Sequence, residues 1–282
     1  MQSATLVPSL LGQAASAPGA SIQADVVYGH KHGLAMTFDY YRPEGPAHGA
    51  GILFMVSGGW FSRWAPPEQS KPLFQAYLDQ GYAVFAVRHG SSPRYSIPEA
   101  VSDVRRAVRY VRLKAESFGV DPDRLGVLGM SAGGHLSLML GTTGDDGDPS
   151  ASDPVNRTGS RVAAVAALVP PTDLRVAVWS APESLPAYRN FPALDLDLDQ
   201  AGRHSPLAHV TADDAPALVI MGGKDRLVPP KHGTWIAESF QREGVTHQLI
   251  ILPEADHGLD LNQPGSKTIA QVVQWFNSHL RK

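Results

Sequence analysis

Ser131 lies between two glycines in Gly129-Met130-Ser131-Ala132-Gly133, and it is the residue of this chain best placed to do chemistry. A serine hydroxyl is a weak nucleophile, so it needs an exposed position and a neighbouring base. Here an apolar run at 124–129 leads straight into a helical stretch at 131–141. A serine on such a sharp strand-to-helix turn sits on strained backbone, and side chains at the flanking glycine positions would clash with neighbouring segments. The same turn aims the first N–H groups of the helix at the carbonyl under attack. Ser137 lies inside the helix and is a poor rival.

The base and acid should follow later strands, in the chain order Ser, acid, His. Of eleven histidines, His257 is best placed, because it follows the last apolar run in ILPEADHGLD. His247 begins that run, His279 lies in the terminal helical stretch, and His135, one helical turn past Ser131, reads as a packing residue. Asp225 in ALVIMGGKDRLVP is the expected acid, fixing the tautomer of the imidazole. Asp256 and Asp260 are too near His257 in sequence, and Asp213 and Asp214 precede the strand. A tetrahedral oxyanion also needs N–H donors. Ala132 should give one, and the Gly58-Gly59 pair after the first buried run should give others.

The elements that must position these groups alternate regularly. Short apolar runs at 51–56, 82–87, 124–129, 162–169, 217–222 and 247–252 read as buried parallel strands. Helical stretches fall at 69–80, 98–117, 131–141, 231–243 and 266–280, the last with Ser266 as N-cap. Before them, residues 21–43 read as a β-hairpin whose turn holds Gly29, His30, His32 and Gly33. The expected fold class is therefore α/β, a mainly parallel sheet with helices on both faces and an N-terminal antiparallel hairpin. The expected organisation is a flexible lead at 1–21 and one domain at 22–282.

Two segments break the rhythm. Residues 170–206 are too long for a simple crossover and read as a small cap insertion over the catalytic edge. Its Trp179, Leu185 and Tyr188 are expected to help form the pocket, and its apolar content favours an uncharged acyl or aryl ester. Residues 144–160 are acidic and loop-like, without the spacing of a calcium loop. Arg105, Arg109 and Arg112 share one face of the 98–117 helix and read as a solvated stripe.

Composition excludes several classes. With 282 residues, 43 % hydrophobic and 18 % charged, the chain can bury a large core without staples. A net charge of -3 implies no nucleic-acid partner. The absence of cysteine removes thiol catalysis and thiolate metal sites. No apolar run reaches the roughly 20 residues of a membrane span. The lead lacks the basic start of a signal peptide. A cytoplasmic location is expected, with a secreted or periplasmic one as the alternative if the lead is a trimmed signal. A homodimer is allowed, and the oligomeric state stays open.

VSGGW, DPDRLGVLGMSAGGHLSLML, GGKDRLVPP and EADHG together resemble the esterase and lipase branch of the α/β-hydrolases, over roughly residues 22–280. The group most similar is that of bacterial feruloyl and acetyl-xylan esterases and kynurenine formamidase, near the hormone-sensitive-lipase-like enzymes. The resemblance implies the α/β-hydrolase fold, with Ser131 as nucleophile, Asp225 as acid and His257 as base. It also implies an oxyanion hole at Gly58, Gly59 and Ala132, and an acyl-pocket aromatic at Trp60. One departure stands out. The family loop usually begins His-Gly-Gly, whereas Val56 and Ser57 stand before the glycines here, so Ser57 or a neighbour is expected to prop the loop and Trp60 N–H is a rival to Gly58. His89, after the second buried run, is read as a pocket residue. The expected reaction is acyl transfer from a small-molecule ester to water through an acyl-enzyme on Ser131, with no metal or cofactor. The alternatives are amide cleavage on the same triad and a non-catalytic small-molecule-binding protein.

Overall fold

A computed structural model describes residues 21–263 and 265–281, so all but the last residue of the expected N-terminal lead lies outside the described residues. Eight strands form one sheet in the order β1-β2-β4-β3-β5-β6-β7-β8. They are β1 (Ile22–Lys31), β2 (Leu34–Tyr41), β3 (Gly51–Met55), β4 (Ala83–Val87), β5 (Leu125–Met130), β6 (Ala164–Leu168), β7 (Ala217–Gly222) and β8 (His247–Leu252). The β1–β2 and β2–β4 pairs are antiparallel and all others parallel.

Among the described residues seven α-helices accompany the sheet: α1 (Pro67–Leu78), α2 (Ile97–Leu113), α3 (Ala115–Phe118), α4 (Ala132–Thr142), α5 (Leu198–Arg203), α6 (Lys231–Glu243) and α7 (Lys267–Leu280). Side chains alternate across the sheet, as strand geometry requires. Leu53, Met55 and Val127 face the larger core with Val104 and Val108 of α2, Leu136 of α4 and Phe240 of α6. Ile52 and Leu128 face the other core with Phe74 of α1 and Phe276 of α7. No helix among the described residues is long and apolar enough to cross a membrane.

Three local expectations are corrected. The hairpin turn is confined to His32 and Gly33; Gly29 and His30 lie inside β1, Gly29 at a register shift against β2. The 98–117 helix divides at Lys114, leaving α3 as a single turn closed by Gly119 in the left-handed conformation (φ 66°). The arginine stripe is not a solvated face. Arg109 grips Asp145 through both carboxylate oxygens at 2.6 and 2.7 Å. Arg105 donates to Thr143 O, and Arg112 donates to Gly159 O. The stripe and the acidic loop are partners, and together they pin the chain between α4 and β6.

Sheet order explains where chemistry can occur. The chain runs from β3 outward to β4, then returns past β3 to β5, so the strand order reverses between β3 and β5. Loops leaving adjacent strands there diverge and open a crevice at the carboxyl edge. The segments after β3 and after β5 carry Gly58-Gly59 and Ser131.

Candidate active site

Ser131 caps α4 with φ 55° and ψ -120°, outside the comfortable regions for a side-chain-bearing residue. Such geometry costs on the order of 1–3 kcal/mol and persists only where the surroundings enforce it. Its N–H donates to Leu168 O at 2.8 Å, and its carbonyl accepts from His135 N–H at 2.9 Å. The glycines permit the crossing that enforces it. A Cβ on Gly129 would lie 2.3 Å from the Gly133 carbonyl, and one on Gly133 would lie 2.6 Å from Met55 O.

His257 and Asp225 reach Ser131 from the next loops along the same edge. Ser131 Oγ is 3.0 Å from His257 Nε2, and His257 Nδ1 is 2.7 Å from Asp225 Oδ2. The loops after β7 and β8 are tied backbone to backbone. Gly223 N–H donates to Leu252 O and Lys224 N–H to Ala255 O. A Cβ on Gly222 would strike Asp256 O at 2.3 Å, which explains the glycine pair before Asp225. Asp225 is 5 % exposed, and its other oxygen accepts from Leu227 and Val228 N–H at 2.8 and 2.9 Å. A carboxylate held this way accepts from Nδ1–H and leaves Nε2 free to accept the serine proton.

The loop after β3 forms a tight turn. Gly58 and Phe61 exchange two backbone hydrogen bonds, each 3.0 Å, with Gly59 (φ 55°) and Trp60 (φ 57°) at its tip. This corrects the expectation for Gly58: its N–H is committed to Phe61 O and is not free for an oxyanion. The N–H groups of Gly59, Trp60 and Ala132 take no acceptor among the described residues. Gly59 must be glycine for a second reason, since the Phe191 ring lies 2.5 Å from where its Cβ would be.

Trp60 is 4 % exposed and its indole N–H donates to His135 Nδ1 at 3.2 Å. His135 Nε2 is 2.7 Å from His204 O, which fixes the ring proton on Nε2. His135 is thus a brace between α4 and the β3 loop, a role its helical position alone did not reveal.

A narrow cavity of about 30 Å³ adjoins Ser131, walled by Gly59, Trp60, Tyr188, Phe191, Leu194 and Leu227 among others. Trp60 and Tyr188 therefore line this cavity. Trp179 does not: its indole N–H donates to Tyr188 O at 2.9 Å, so it supports the wall from behind. Leu185 faces a separate cleft. His89 is also outside the cavity, on the far side of the β3 loop, where it lines an open cleft of about 630 Å³. Phe191 and Leu194 were missed by sequence reasoning. Phe191 joins two short 3-10 turns (Pro186–Asn190 and Pro192–Leu194) and Leu194 ends the second, and no helical or strand periodicity marks them.

The buried histidines carry a pH consequence. Burial pushes His135 down to about 4 and His232 down to about 4, and it lowers His89, His204 and His48 as well. In the unfolded chain a histidine titrates near about 6.5, so the unfolded state takes up protons first as pH falls. Stability is then fully present above about 6.5 and is lost as pH drops toward 4. The urea midpoint should fall steadily from pH 6.5 to 5, above the range where carboxylates dominate. A midpoint that is flat or rises in that window contradicts this reading.

The profile of the BD-FAE family matches residues 38–240. Esterase LipQ of Mycobacterium tuberculosis is 27 % identical over 259 residues, covering 90 % of this chain and 61 % of LipQ. The probable carboxylic ester hydrolase LipM of the same organism is 28 % identical over 246 residues, covering 84 % of this chain and 56 % of LipM. The chain thus spans 61 % and 56 % of the length of these two curated relatives. Among solved structures, an acetyl ester-xyloside bifunctional hydrolase from Caldicellulosiruptor lactoaceticus superimposes with a TM-score of 0.77 at 24 % identity, covering 90 % of this chain and 96 % of that one.

Proposed function

Because this chain belongs to the BD-FAE family, within the α/β-hydrolase esterase superfamily, we propose that it is a carboxylic ester hydrolase acting through an acyl-enzyme on Ser131. The observation that carries the reading is the hydrogen-bonded chain Ser131–His257–Asp225, at 3.0 and 2.7 Å, beside a small apolar cavity. The names of LipQ and LipM as an esterase and a probable carboxylic ester hydrolase support it.

In this mechanism His257 Nε2 takes the Ser131 proton as Oγ bonds to the ester carbonyl carbon. The carbonyl oxygen becomes an oxyanion, held by N–H groups of Ala132 and of the Gly59–Trp60 tip. Asp225 stabilises the imidazolium and keeps Nδ1–H turned toward itself. The C–O bond to the alcohol breaks as His257 returns the proton to the leaving oxygen. A water then attacks the acyl-enzyme with His257 as base, and the acid leaves with Ser131 restored. Every step uses groups of the chain itself.

The cavity beside Ser131 is small, about 30 Å³, and mostly apolar in its lining. We therefore assign it the acyl side of a small ester. Each methylene too many in a fitted apolar pocket costs about tenfold or more. On p-nitrophenyl esters, kcat/KM should be highest for acetate or propionate and at least about tenfold lower for hexanoate. Hydrolysis of the anilide faster than the ester would favour the amide-cleaving alternative. Binding without turnover of either would favour the non-catalytic one.

A further inference from the structure

The tip of the β3 loop must hold two N–H groups in place to within about half an ångström to serve an oxyanion. Little regular structure supports it, so the support must come from side chains. Ser57, the second residue after β3, lies 2.8 Å by its Oγ from Nε2 of His89. The other ring nitrogen of His89, Nδ1, lies 2.8 Å from Gly90 O. A carbonyl oxygen can only accept, so Nδ1 carries the ring proton. In the neutral ring Nε2 is then an acceptor, and the Ser57 hydroxyl donates to it. The ring is 4 % exposed, and burial lowers its affinity for a second proton, so one tautomer persists.

The surrounding contacts point the same way. The segment after β4 meets the β3 loop at its tip and beyond: Ser92 N–H donates to Trp60 O at 3.1 Å, and Ser62 N–H donates to Ser91 Oγ at 2.9 Å. Ser57 is the matching tie before the turn. His89 itself lines neither the cavity beside Ser131 nor any contact with Ser131, His257 or Asp225.

The geometry points to His89 as a positioning residue for ester hydrolysis, holding the Gly59 and Trp60 donors in place through the Ser57 hydroxyl. This rests on the ester-hydrolase reading of Ser131. It replaces the expectation that His89 contacts substrate, and it supplies the partner through which Ser57 would prop the loop.

The test is a double-mutant cycle on p-nitrophenyl acetate with Ser57→Ala, His89→Phe and the double variant, alongside His89→Gln. Misplacing a reacting group by less than an ångström costs about tenfold in rate, so each single variant should lose about that much kcat with KM held within about twofold. The double variant should be no slower than the slower single one, because both delete the same bond. His89→Gln keeps an acceptor within reach of Ser57 Oγ and should recover most of the rate. Three results would each overturn the proposal: additive losses, a raised KM at unchanged kcat, or a kcat loss that follows Tm and is not recovered by glutamine. If His89→Phe does not fold, Ser57→Ala alone decides, since it removes a single hydroxyl; unchanged kcat there sinks the proposal. A wild-type protein without turnover and without phosphonate uptake at Ser131 sinks the hydrolase reading instead. Normal wild-type turnover with an unaffected Ser57→Ala variant sinks only the role of His89.

Discussion

Replacing Ser131 by alanine should reduce kcat on a short ester by about 10⁵- to 10⁶-fold while leaving the fold intact. The substitution removes Oγ, the one atom that can bond to the carbonyl carbon, and alanine occupies the strained backbone no less easily than serine. His257→Ala should cost about as much, and the double variant little more, because the nucleophile and base work as a unit. Asp225→Asn should cost about 10⁴-fold, since an amide in place of the carboxylate favours the wrong imidazole tautomer. Steady-state kinetics with active-site titration checks all three. A Ser131→Ala variant that keeps more than about one hundredth of the wild-type rate would move the nucleophile elsewhere.

Gly129→Ala should destabilise the protein by on the order of 3–5 kcal/mol, a large share of the roughly 5–15 kcal/mol that stabilises a typical domain. The added Cβ meets backbone atoms, the Gly133 carbonyl carbon and oxygen, each at 2.3 Å. A flexible side chain could yield, but this pair cannot separate without pulling the start of α4 off the end of β5. Gly119→Ala offers the control. Unlike Gly129, it sits at positive φ (66°), and nothing lies within 4 Å of its Cβ position. Its cost should be only the left-handed strain, about 1–2 kcal/mol. Urea denaturation of both variants separates the two effects. Equal losses would mean that the close approach at the elbow is not what demands glycine.

The strands, the helices and the three side chains at the crevice were legible in the sequence because local patterns encode them. Apolar runs bounded by glycine mark β5 and β7, and Ser266 does cap α7, accepting from Ile269 N–H at 3.2 Å. The position of Asp225 after β7 and of His257 after β8 follows from strand order, and strand order follows from alternation. What escaped was pairing between distant segments. Arg109 and Asp145 each looked solvated when taken singly, and only the folded chain brings them within 2.7 Å. Gly58 looked like a donor because its type suits an open loop. Its reciprocal bonds with Phe61 are a backbone register that residue identity does not specify. Trp179 and His89 were read by residue type as pocket walls, yet each supports a wall or loop from behind. The cap's contribution of Phe191 and Leu194 was invisible because 3-10 turns carry no periodic signature.

The central claim is that Ser131 is a nucleophile activated by His257. Intact-mass and peptide mass spectrometry after treatment with a small p-nitrophenyl phosphonate tests it most directly. The account predicts one adduct per chain on the peptide carrying Ser131, release of p-nitrophenol in equal amount, and complete loss of ester turnover as labelling completes. It also predicts no adduct in Ser131→Ala and greatly slowed labelling in His257→Ala. An adduct at another residue, or full esterase activity in protein left unlabelled at Ser131 by excess phosphonate, would contradict it.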